Sequence, residues 1–272
     1  MLYFFVRIFM DVPQSIWRYA MRFLMYREPL TERSDPAPIP NLRQLLIDAR
    51  NEGKATAQSL HDRRTQPSEV LLKQSALHRR THALYGFGSS EAELVLGIQG
   101  TLVGQHLLKH PVHRAVGYAV CADGQQRLTR ALVQLAEGDR YVLFGTKDAD
   151  LRHSFYGALA VARIATALAR CGAQAFLPTV EDDSSHGIDL LVKAGNTGAC
   201  VQVKAAKGHN LIEAVDDLSF RIVRGTALFN QKYSCAWRAI NADVVLRRTG
   251  AQYLGGAAAK WAASRIIALT TP

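Results

Sequence analysis

The residues best equipped for chemistry lie between Glu181 and Lys204. The stretch reads Glu-Asp-Asp-Ser-Ser-His-Gly-Ile-Asp-Leu-Leu-Val, then Lys-Ala-Gly-Asn-Thr-Gly, then Ala-Cys-Val-Gln-Val-Lys. Two short apolar runs flank a turn-rich segment, which is the pattern of a β-hairpin. Asp189 falls in the first run, and Gln202 and Lys204 in the second. Such groups inside buried strands cost free energy unless they have partners or a task. Strand alternation puts Gln202 and Lys204 on one face and Val201 and Val203 on the other. An acid facing an amide and an ammonium is a candidate metal-and-water site. The plainer alternative is a structural Asp189–Lys204 ion pair with Gln202 as a hydrogen-bonded sheet residue. Glu181, Asp182 and Asp183 read either as a source of negative potential at the mouth of that site or as a solvated acidic loop.

The elements that must hold these residues follow from the flanking pattern. Residues 153–171 form the strongest helix, rich in alanine and leucine and free of proline, with Gly172 suited to its C-terminal cap. Ala175-Phe176-Leu177 is a short strand candidate. After the hairpin, residues 205–222 read as loop and short helix, Thr226–Ile240 as helix, Ala242–Leu246 as strand and Ala257–Leu269 as helix. Helix, strand, hairpin, helix, strand, helix is an α/β order, with a central sheet between helices.

With Gly187-Ile188-Asp189 and Gln202-Val203-Lys204 in that setting, residues 153–248 resemble the PD-(D/E)xK nuclease superfamily, in particular its Mrr-type restriction-endonuclease branch. The resemblance implies a restriction-endonuclease-like mixed sheet flanked by helices and metal-dependent hydrolysis of DNA phosphodiesters. It implies Asp189, Gln202 and Lys204 as catalytic residues. Mg²⁺ or Mn²⁺ would be held by the Asp189 carboxylate, the Gln202 amide oxygen and the Val203 backbone carbonyl. A divalent cation polarises the phosphate and lowers the pKa of the attacking water. Lys204 would orient that water or stabilise the pentavalent charge. Many relatives add a glutamate from the first helix, whereas Gly157–Arg170 contains no acid and Asp148 and Asp150 precede it. The alternative function is therefore a catalytically degenerate nuclease fold that binds nucleic acid or serves as an assembly component of a larger, membrane-associated machine.

The N-terminal half divides by composition. Residues 1–28 are apolar and aromatic with interspersed arginines. They read as an interfacial helix or docking arm, or as a helix packed on the body or on another subunit. Residues 29–66 hold a proline-rich linker and a polar helix. Residues 67–150 are mainly helical, opening near Ser68, with breaks at Gly86 and Gly88, a helix through Glu91–Leu96 and a basic cluster at His78, Arg79, Arg80 and His82. Arg127–Leu135 as helix, Glu137-Gly138-Asp139 as turn and Arg140–Phe144 as strand suggest the last helix and wing of a winged-helix DNA-binding domain. Residues 151–272 form the nuclease-like domain.

The chain has 272 residues, 33 basic against 23 acidic, for a formal charge of +10. That balance favours a polyanionic partner, either nucleic acid or an anionic membrane surface. Double-stranded DNA is the expected partner, with His186, Lys207, Lys232, Arg79 and Arg80 as candidate contacts. A membrane surface, a protein or a second copy of the chain is the expected partner for residues 1–28. Cysteines at 121, 171, 200 and 235 form no Cys-x-x-Cys pair, which argues against zinc. They are expected to be reduced, in a cytoplasmic protein that can lie at the inner face of a membrane.

Overall fold

The computed structural model describes residues 29–36, 38–60, 67–135, 139–140, 143, 149–195, 197–206, 211–215, 236–247 and 256–270. The chain is mixed α/β. Among the described residues four helices come first: α1 (Leu42–Ser59), α2 (Pro67–Tyr85), α3 (Ser90–Leu108) and, after a 3-10 turn at Pro111–His113, α4 (Arg114–Gln134). Then follow α5 (Ala149–Arg170), β1 (Gln174–Phe176), α6 (Val180–His186), β2 (Leu190–Ala194), β3 (Thr197–Ala206), β4 (Leu211–Val215), β5 (Ala236–Arg247) and α7 (Gly256–Thr270).

Helices α3 and α4 form an antiparallel pair, as the Ser90 to Gln134 hydrogen bond of 3.1 Å between the start of one and the end of the other requires. Small residues bring their backbones together. A Cβ on Gly104 would lie 2.5 Å from Cys121 Sγ, and one on Gly124 would lie 2.6 Å from the Thr101 amide. Only hydrogen fits between helices this close. Ser89 starts α3 by accepting a 3.0 Å hydrogen bond from the Ala92 amide.

The sheet has five strands in the order β1-β2-β3-β5-β4. β1, β2 and β3 form an antiparallel meander, β5 runs parallel to β3, and β4 is antiparallel to β5 at the far edge. The middle of helix α5 is buried, with Leu159, Ala160, Ile164, Ala165 and Leu168 in the core, while His153 and Arg170 near its ends are exposed. Its apolar face is broad, as befits a helix packed on both sides. It joins the helical pair to the sheet, because one continuous core includes Leu128 and Leu132 of α4, α5, Leu190, Val192 and Val201 of the hairpin, and Ala262 and Ile266 of α7. Gly172, at φ 81°, ends α5 as its position after the last apolar turn suggests.

Several expectations need correction. Asp139, Arg140 and Leu143 are helical, so the strand expected at Arg140–Phe144 does not form at the described positions, and neither does the wing it would have supplied. The helix expected at Glu91–Leu96 runs on through the apolar residues to Leu108, because nothing between them breaks it. β3 extends to Ala206 and β4 follows, where loop and short helix were expected. Residues 236–240 belong to strand β5 rather than to a helix ending at Ile240, because parallel pairing with β3 outweighs local helix preference. The proline-rich segment is anchored: the Leu30 amide donates a 2.7 Å bond to Ala175 on the outer edge of β1, and Glu32 pairs with Arg170. Residues 1–28 lie outside the described residues. No helix among those described is long and apolar enough to cross a membrane. Cys121, Cys171 and Cys200 are free thiols.

Candidate functional site

The residues singled out around the hairpin are set in place by a short helix and a strand end. Thr179 caps α6, its hydroxyl accepting a 3.1 Å bond from the Asp182 amide. Glu181, Asp182 and Asp183 occupy the first turn, where the helix dipole favours negative charge. Gly187 closes α6 at φ 66° in the left-handed region that glycine adopts without strain. A Cβ there would also lie 2.5 Å from Gln202 Nε2, so glycine is required for clearance as well as for conformation. The acidic segment is thus not a solvated loop. It is helical, and of its three acids Asp182 is fully buried, Asp183 half-buried and Glu181 exposed.

The hairpin forms as its sequence pattern indicates, with Leu190 opposite Val201 and Ala194 opposite Thr197. Asp189 lies one residue ahead of β2 rather than inside it. Its amide donates to the Val201 carbonyl at 2.9 Å, and its Oδ2 accepts the Val203 amide at 2.6 Å. The carboxylate takes over the ladder where β2 has not begun. In a strand, the N–H and C=O of one residue point the same way, and residues i and i+2 share that side. The Val203 carbonyl therefore points past the end of β2, beside the Asp189 carboxylate. Val201 and Val203 are buried in the core, as alternation predicts, and Gln202 is half-buried.

Asp183 is the residue that sequence reasoning undervalued. Its Oδ2 accepts a 3.1 Å hydrogen bond from Gln126 Nε2, which reaches it from α4. Burial, the negative charges of Asp189 and Asp182, and the opposing hydrogen bond from Gln126 together push the Asp183 carboxyl up to about 8. The usable signal was position: the last acid of a capped helix, six residues before Asp189. Gln202 stands opposite Asp243 on β5, and Asp243 opposite Glu213 on β4.

The donor set is carboxylate, amide and backbone carbonyl oxygen, which suits a hard divalent cation such as Mg²⁺ or Mn²⁺. Among the described residues no group of three or more His, Cys, Asp or Glu is arranged to hold a metal. Any such site therefore relies on the amide and the main chain beside its carboxylates. Lys204 lies two residues beyond Gln202 on β3. Its side chain, that of His186, and all of Lys207 and Lys232 lie outside the described residues.

The candidate DNA contacts of the helical region divide. Arg79 and Arg80 are exposed at the side of α2, and Arg80 pairs with Glu52. His78, expected in the same basic cluster, is buried, and burial together with the Arg127 charge lowers its pKa to about 3. It is a neutral core residue. Comparison with protein-family models, curated proteins and solved structures found no match to this chain.

Proposed function

We propose that the chain is a metal-dependent endonuclease acting on DNA, with the reacting phosphate held over the end of the β2–β3 hairpin. The observation that carries this reading is the convergence of the Asp189 carboxylate with the outward-pointing Val203 carbonyl, next to Gln202. The order of elements, with α5 ahead of an antiparallel meander and β5 parallel to β3, supports a restriction-endonuclease-like core of the PD-(D/E)xK type.

Asp189, Gln202 and Val203 would hold Mg²⁺ or Mn²⁺, which when bound supplies charge to the phosphate oxygens and acidity to a water. The chain's own contribution is orientation. The Val203 amide fixes the rotamer of Asp189, and Gly187 leaves room for Gln202. Lys204 is assigned the attacking water or the developing charge. Exposed basic residues such as Arg79, with Lys207 and Lys232, would grip phosphates along the duplex and make binding strongly salt-dependent.

Supercoiled, linear and branched DNA incubated with the protein in Mg²⁺ or Mn²⁺ should be cut, and Asp189→Ala or Lys204→Ala should abolish cutting. Absence of cleavage on every substrate, or cleavage unchanged in Lys204→Ala, rejects the reading. A second reading, a non-catalytic nuclease fold that binds nucleic acid or joins a larger assembly, draws on one observation: α5 carries no carboxylate from Leu151 to Arg170. It predicts salt-dependent DNA binding that survives Asp189→Ala, with no cleavage by the wild type.

A further inference from the structure

We infer that Asp183 is the second carboxylate of the site, supplied by α6 where α5 carries no acid beyond Asp150, and that Gln126 of α4 is the residue that positions it. The inference rests on the cation-binding reading of Asp189 and Gln202. Three features of the fold support it. First, α6 ends at Gly187 and the chain reaches Asp189 two residues later, so the helix that carries Asp183 and the strand end that carries Asp189 are rigidly joined. The Ile188 amide returns to the Asp182 carbonyl and the Asp189 amide to Val201, leaving no slack between them.

Second, Asp183 is held from outside its own element. Gln126 is buried, lies 57 residues away in sequence and reaches Asp183 from α4. A structural carboxylate in such a place is normally matched by an arginine or lysine, as Glu93 and Asp123 are by Arg127. Asp183 is matched by a neutral amide. That fixes the direction of the carboxyl group without setting a positive charge beside it, which is the role of a group around a cation. Third, Gln202 reaches back against Gly187, so the amide of β3 and the end of the helix bearing Asp183 are in contact range. Asp183, Asp189, Gln202 and the Val203 carbonyl then form a set with two carboxylates, an amide and a main-chain oxygen. Such a set would leave further positions on Mg²⁺ or Mn²⁺ to water and phosphate.

The test is Mn²⁺ binding to the full chain, read by loss of the free-ion electron paramagnetic resonance signal and by calorimetry, with thermal melts as the folding control. Wild type should bind. Asp189→Ala should abolish binding, and Asp183→Asn should weaken it at least roughly tenfold, as should Gln126→Ala, while Glu181→Gln, on the exposed side of the same turn, should not. In Gln126→Ala the Mn²⁺ concentration needed for half-maximal cleavage should rise, and kcat at saturating Mn²⁺ should return towards wild type. A purely structural role would not produce that split. If wild type binds and Asp189→Ala does not, but Asp183→Asn binds as wild type, the inference is overturned and the broader reading stands. If wild type itself binds no Mn²⁺, the broader reading fails and this inference with it. Should Asp183→Asn fail to melt cooperatively, Gln126→Ala decides: wild-type binding by that variant overturns the positioning role.

Discussion

Gln126 and Arg127, adjacent on α4, serve two groups of carboxylates of opposite character, Glu93 and Asp123 buried and Asp183 half-buried. Arg127 donates to Asp123 at 2.7 Å and to Glu93 at 2.9 Å, and also meets His78 Nδ1 at 3.4 Å. Arg130 adds a 2.8 Å bond to Glu93. Two acids meet two guanidinium groups, and charge balances inside the helical core. Gln126, one residue earlier, gives Asp183 only an amide. Among the described residues, the charges that raise the Asp183 pKa are those of Asp189 and Asp182, both acids. The first arrangement balances charge and locks α2, α3 and α4 together. The second crowds carboxyl groups at the end of the hairpin, so that Asp183 keeps a proton that a bound cation would displace. Burial of acids is therefore not itself the mark of a site; what surrounds them is.

This contrast can be broken or sharpened by measurement. Arg127→Met should have the largest effect, because it strands Glu93 and Asp123 without their guanidinium. Urea unfolding should show a loss of about 3–5 kcal/mol, and an unchanged midpoint would remove the structural assignment.

His78 gives the next effect. Its folded pKa, lowered to about 3 from an ordinary 6.5, lies below its unfolded value. Between those values the unfolded chain binds a proton that the folded chain refuses. Stability from this group is therefore complete above about pH 6.5 and falls as pH drops through the window, by roughly 2–4 kcal/mol in all. Melting temperature against pH should show the slope, and His78→Gln should flatten it.

Gly104→Leu tests the close approach of α3 and α4 that sets both groups. The new Cβ would fall 2.5 Å from Cys121 Sγ, and overpacking of this kind costs about 1–3 kcal/mol in thermal or urea unfolding.

The smallest effect has the opposite sign. Asp183, with a folded pKa raised to about 8, retains a proton that the unfolded chain releases near the usual carboxylate range. Its contribution is present at low pH and is lost as pH rises towards 8 and beyond. Without added cation at pH 9, Asp183→Asn should thus stabilise by about 1–2 kcal/mol, whereas Glu93→Gln should destabilise. If both variants shift stability the same way in denaturant titration, the distinction between the two groups fails.

Much of the sheet was legible before the structure. Alternation and turn residues gave the β2–β3 hairpin, and an uninterrupted alanine–leucine pattern gave α5 and its glycine end, because these signals are local. The strand β5 was only half legible. Ala242 to Leu246 read as strand, but Ala236 to Ile240 became strand through pairing with β3, a long-range contact with no local mark. The Gly97, Gly100 and Gly104 series on α3 is the sequence mark of the close packing against α4. His78 looked basic beside Arg79 and Arg80, yet the helix turns it inward while they face solvent.

The sequence by itself determined the hairpin, the alternation that separates Gln202 from Val201 and Val203, and the absence of an acid on α5 after Asp150. Tertiary structure alone decided that Asp183 joins Asp189 and that Gln126 holds it. The reason is physical. Periodicity records which face of an element is apolar, but the meeting of α4, α6 and the end of β2 depends on how α5 seats the helical pair against the sheet. That seating is fixed by packing among residues far apart in the chain.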